Sequence, residues 1–108
     1  MSLELAPLIA RISNMLNPRS ADPGPPLLTE MEHTLTDGYA RALELEGERM
    51  RVERRIAELA HRIDGPEQAG ELRGLAERLR SADDDLANLR DLLGALQRRV
   101  ESERAAAA

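Results

Sequence analysis

The stretch from residue 72 to 100, LRGLAERLRSADDDLANLRDLLGALQRRV, decides how this chain folds. Leu72, Leu75, Leu79, Ala82, Leu86, Leu89, Leu93, Leu96 and Val100 recur at alternating steps of three and four, and Glu103 continues the frame on a polar residue. On a helix of about 3.6 residues per turn this spacing lays one apolar stripe along a single face, the a and d positions of the heptad abcdefg. The preceding segment repeats the pattern through Leu28, Met31, Leu35, Gly38, Ala42, Leu45, Arg49, Val52, Ile56, Leu59 and Ile63. Two stripes, each sustained for about five heptads, predict coiled-coil seams.

Asp64-Gly65-Pro66-Glu67 separates the two segments. Gly65 is suited to the left-handed conformation that ends a helix, and Pro66 to the first position of the next. The spacing therefore predicts one long helix near 27–63 and another near 66–104. A turn this short forces them to run antiparallel, so facing residues have position numbers with a constant sum. Setting Leu59 opposite Leu72 gives 131, and the same sum pairs Ile56 with Leu75, Val52 with Leu79, Leu45 with Leu86, Leu35 with Leu96 and Met31 with Val100. The two irregular seam residues fall into place as register-specifying positions: Gly38 faces the bulky Leu93, and Arg49 faces the small Ala82. The Arg49 stem is expected to pack on Ala82 while its guanidinium reaches Glu46 or Asp85. Most charges beside the seam agree with the alignment, with Arg55 near Glu71, Glu48 near Arg78, Arg41 near Asp85 and Glu46 near Arg90, while Arg55 opposite Arg78 and Glu46 near Asp83 run against it. Exposed pairs of this kind are worth about 0–1 kcal/mol each, so they select register more than they stabilise it.

Upstream, Leu5, Leu8, Ile9, Ile12, Met15 and Leu16 form a shorter stripe, predicting a helix near Pro7 to Leu16 with Leu5 just outside it. The stretch 17–26, NPRSADPGPP, cannot stay helical, because proline lacks an N–H and biases the residue before it away from helical geometry. The chain thus divides into a short amphipathic helix at 1–16, a Pro-rich linker at 17–26, a hairpin at 27–104 and an alanine tail at 105–108. The fold class expected is all-α, a long antiparallel coiled-coil hairpin preceded by a short amphipathic helix. A helix of about three turns is marginal alone in water and must bury its stripe against something. Apolar residues off the seam, among them Tyr39, Leu43, Met50 and Leu92, suggest a second contact surface. The assembly expected is a homodimer in which two hairpins form a four-helix bundle. Its interface would draw on Leu8, Ile9, Ile12, Met15, Leu16, Tyr39, Leu43, Met50 and Leu92. The sequence leaves open whether the first helix covers its own hairpin or a second subunit.

Composition narrows the function. The 108 residues include no Cys, one Tyr, no Trp or Phe, and 15 basic residues, all of them Arg, against 20 acidic ones, for a net charge of −5. Without cysteine there is no disulfide scaffold, zinc ribbon or thiol nucleophile. An acidic chain with a single aromatic ring suits neither phosphate binding nor base stacking, so no nucleic-acid partner is expected. His33 and His61 each end a Glu-x-x-His unit, the spacing of di-iron bundle ligands, but the frame puts both histidines at f, the outermost position, and they sit far apart on one helix. Asp83, Asp84 and Asp85 read as a solvated acidic face beside Arg80 and Arg41. No nucleophile–base pair or phosphate-cradling loop is visible, so neither catalysis nor a cofactor is expected.

An acidic N-terminus, MSLEL, and the lack of a long apolar run argue for a cytoplasmic protein rather than a membrane one. The use of Arg alone with abundant Ala would suit a GC-rich bacterial genome. The function expected is a non-enzymatic helical protein–protein interaction or oligomerisation module, such as a bacterial regulatory adaptor with a protein partner still to be found. The alternative is peripheral membrane association through the first helix, whose stripe is apolar but poor in the aromatic and basic residues of interfacial helices.

Overall fold

The seam residues and the turn produce the helices they imply. The computed structural model describes residues 5–17, 27–62 and 64–107. It contains helix α1 (Leu5–Leu16), helix α2 (Leu28–Ala60) and helix α3 (Pro66–Ala107), with no strand among the described residues. The molecule is elongated, 63 × 26 × 15 Å. Residues 18–26 of the linker, and Ile63 at the end of the second stripe, lie outside the described residues.

α2 and α3 pack against each other along the anticipated seam. Near the turn, Val52, Leu59 and Leu75 are buried in one cluster, with Ile56 and Leu79 packed against it. Toward the open end, Met31, Leu35, Ala42, Leu45, Leu86, Leu89, Leu93, Leu96 and Val100 form a second, larger cluster. The register is fixed most sharply by Gly38, where a Cβ would overlap Leu93 Cδ2 and lie 3.3 Å from its Cγ. Among the expected cross-seam ion pairs, Arg55 Nη2 lies 3.0 Å from Glu71 Oε1, and Arg90 pairs with Glu46. Glu48 instead lies 3.8 Å from Arg41 on its own helix.

The helix ends differ from expectation in informative ways. α1 begins at Leu5, two residues before Pro7, and Leu5 is fully buried. Pro7 causes no conflict because the first four N–H groups of a helix have no intrahelical acceptor. α2 stops at Ala60, and Arg62 N–H donates to Leu59 O at 2.9 Å, closing the last turn tightly. Gly65 does not end α2 in a left-handed conformation. Its carbonyl accepts from Ala69 N–H at 3.2 Å, so it caps the start of α3, with Pro66 as the first helical residue. At the other end α3 runs through the alanine tail to Ala107, since alanine is the strongest helix former.

α1 folds back onto its own hairpin and contacts both α2 and α3. Leu5 and Ile12, seven residues apart, are fully buried in the larger cluster, flanked by Leu8, Ile9, Met15 and Leu16. Burying an Ile or Leu side chain is worth about 1.5–3 kcal/mol, which supplies what a 12-residue helix lacks on its own. The molecule thus packs three helices together at its open end and two toward the turn.

Candidate interaction surface

A two-helix seam leaves a groove along each side. In this hairpin one groove is bordered by the g positions of both helices and the other by the e positions. α1 occupies the g side. Arg11 Nη1 of α1 lies 3.1 Å from Asp37 Oδ2, and Pro7, Leu8 and Arg11 line an open groove with Asp37, Ala40, Arg41 and Glu44 of α2. Leu92, a g residue, is partly buried there against the core. Thr34, another g residue, is fully buried, and its hydroxyl is satisfied by donating to Glu30 O at 2.8 Å.

The e side carries charge across the seam at the same level. Glu46 meets Arg90, Arg104 Nη2 lies 3.4 Å from Glu32 Oε1, and Arg49 Nε lies 2.9 Å from Asp83 Oδ1. Arg49 also donates to Glu53 Oε1 at 3.0 Å, so its partners are Glu53 and Asp83 and not Glu46 or Asp85. The guanidinium swings to the e side, leaving the Arg49 side chain 42% exposed, because Asp83 stands one residue beyond the facing Ala82. Farther along the g side, beyond α1, Arg55 donates hydrogen bonds to Glu71 and to Glu58, and these, the Glu71 bonds first, hold its guanidinium above its already high ordinary value.

The residues expected to form an interface separate into two groups. Ile12 is fully buried, and Leu8, Ile9, Met15, Leu16 and Leu92 pack against the chain's own core. Tyr39, Leu43 and Met50 stand out from the bundle, 48%, 69% and 59% exposed. They lie at e and b positions, on the side of α2 turned away from α1. Leu43 and Met50 border two small residues, Ala40 and Gly47, which sequence reasoning passed over. Their signal was a second three–four spacing, Ala40-Leu43-Gly47-Met50, masked by the stronger a/d stripe.

Other candidate sites do not converge. His33 and His61 are both exposed, and no three His, Asp or Glu side chains among the described residues are grouped to hold a metal ion. Asp83 is engaged by Arg49, and Asp84 points to solvent. Among the described residues no helix is long and apolar enough to cross a membrane. No family model matches this chain, and no curated protein or solved structure matches it either.

Proposed function

We propose that this chain is a non-enzymatic helical protein–protein interaction or oligomerisation module of the bacterial cytoplasm, and that its contact surface is the outer face of α2. The observation that carries the reading is the placement of Tyr39, Leu43 and Met50, large apolar side chains kept exposed on one helix while equally apolar residues are covered by α1. An apolar row bordered by polar residues marks a binding surface more often than an isolated exposed leucine does. The core and the ion pairs give the face a rigid backing, so binding requires no refolding. Flanking charges would select among partners.

The test is affinity purification of the tagged full chain from its native host, wild type beside the Leu43→Asp/Met50→Asp double variant. A second protein, or an untagged copy of the chain, recovered with wild type and lost with the variant supports the reading. Equal recovery with both, or no recovery with either, overturns it.

A further inference from the structure

The outer face of α2 is complementary to itself. Ala40, Leu43, Gly47 and Met50 alternate small and large at steps of three and four, the spacing of a second seam. When two copies of this face are laid antiparallel, with position numbers adding to 90, Leu43 of each copy meets Gly47 of the other, and Met50 meets Ala40. The same alignment puts Arg54 opposite Thr36 and His33 opposite Ala57, so each layer joins a larger residue to a smaller one. Gly47 has no need of its smallness within its own chain, since a Cβ there would meet only the far end of Arg51, at 3.4 Å from Nη1. Gly38 differs, because Leu93 occupies its side-chain space.

The charges fit as well. Beside the two central layers, Glu44 of each copy falls next to Arg51 of the other, and the two-fold axis repeats this pair; Glu44 Oε2 already lies 2.6 Å from Arg41 Nη1 of its own chain, so Arg51 would join that pair as a second cation. Arg51 forms no ion pair within its own chain among the described residues. On the opposite flank Tyr39 falls beside Glu46 of the other copy, a carboxylate able to accept from the phenol hydroxyl. Farther out, the alignment sets Glu32 near Glu53 and Asp37 near Glu58, both pairs of like charge. All four carboxylates already hold an arginine of their own chain, Glu32 with Arg104, Glu53 with Arg49, Asp37 with Arg11 and Glu58 with Arg55, so their repulsion is offset before the copies meet. α1 borders this face, with Pro7, Leu8 and Arg11 sharing a groove with Ala40 and Glu44, and leaves Leu43 and Met50 exposed.

We propose that α2 pairs antiparallel with α2 of a second copy about a two-fold axis at the level of Leu45, with Leu43 seated on Gly47 and Glu44 paired with Arg51. This rests on the interaction-module reading and names its partner as the chain itself.

Sedimentation equilibrium of the full chain at micromolar concentration tests it. Wild type should approach twice the 12.0 kDa chain mass. Glu44→Arg and Arg51→Glu should each raise the dimer dissociation constant by about tenfold or more, since each converts two attractive pairs into two repulsive ones. The double variant Glu44→Arg/Arg51→Glu should return it to within about threefold of wild type. Gly47→Leu adds apolar surface at a half-buried position yet should abolish the dimer, because it removes the space for Leu43 of the other copy; circular dichroism checks that its helix content is retained. A dimer indifferent to these changes, or tightened by Gly47→Leu, overturns the pairing and leaves the interaction-module reading standing. A mass of one chain at every concentration overturns self-pairing altogether, and the co-purification then decides whether another protein takes the face.

Discussion

Leu93 of α3 fills the space that a side chain on Gly38 of α2 would require, with a Cβ on Gly38 coming within 3.3 Å of Leu93 Cγ and overlapping its Cδ2. Both residues are buried, Leu93 at 1% exposure, in the cluster where all three helices meet. The pair fixes the longitudinal register of α2 on α3, because a shift in either direction would bring Leu93 against a larger side chain.

Gly38→Ala should therefore destabilise the protein. Overpacking a core position costs about 1–3 kcal/mol, against a gain of about 1 kcal/mol from replacing a helix-interior glycine. The net expectation is a lower thermal midpoint, and Leu93→Ala in the same chain should recover part of the loss through non-additivity. Melts of the single and double variants followed by circular dichroism check this. A midpoint for Gly38→Ala above that of wild type would show that the contact relaxes freely.

Leu86→Asp and Leu45→Asp place a carboxylate opposite a leucine in one core layer, at positions 2% and 3% exposed. An unpaired charge there costs several kcal/mol. Each variant should lose most of its helical signal at 37 °C. A melt indistinguishable from wild type would contradict the seam.

Ile12→Glu should detach α1 without dissolving the hairpin near the turn. Ile12 is fully buried in the larger cluster, whereas Val52, Leu59 and Leu75 form a separate one that α1 does not enter. Hydrogen exchange should show fast amides throughout α1 and retained protection around Val52 and Leu75. Uniform loss of protection would mean that the two clusters unfold as one unit.

Because the α1 stripe is turned inward, the intact chain should not float with anionic vesicles, whereas a peptide of residues 1–17 presents that stripe freely. Flotation of the full chain would favour the membrane alternative and require α1 to leave the hairpin.

Arg55→Ala removes the contacts with Glu71 and Glu58, 3.0 and 3.3 Å in length, at a position open to solvent. Only a slight fall in thermal midpoint is expected, and it should shrink further in about 1 M salt, where the screening length falls to about 3 Å. A large loss that persists in high salt would assign Arg55 a packing role.

Much of this was legible without coordinates. Val52 and Leu79, Ile56 and Leu75, Gly38 and Leu93, Arg55 and Glu71, and Glu46 and Arg90 are all placed as the heptad arithmetic requires. What escaped it was local chemistry at the ends and flanks. Leu5 was excluded from α1 on account of Pro7, although the first helical turn tolerates proline. Gly65 belongs to the start of α3 and not to the end of α2; glycine suits either place, and only its hydrogen bond from Ala69 N–H tells which. Arg49 reaches Glu53 and Asp83 rather than Glu46 or Asp85, since a long side chain chooses among several carboxylates that lie within its reach.

The sequence by itself determined the hairpin and its register, because a period sustained along each arm and a turn too short for any other path leave one alignment that buries both stripes. It could not say which groove α1 would take. Both grooves run along the same seam, and each is assembled from residues of α2 and α3 that are far apart in the chain. Only their juxtaposition in space, with Leu92 and Thr34 on one side and the Arg90–Glu46, Arg104–Glu32 and Arg49–Asp83 pairs on the other, made one side apolar enough for α1. That choice in turn left Tyr39, Leu43 and Met50 uncovered.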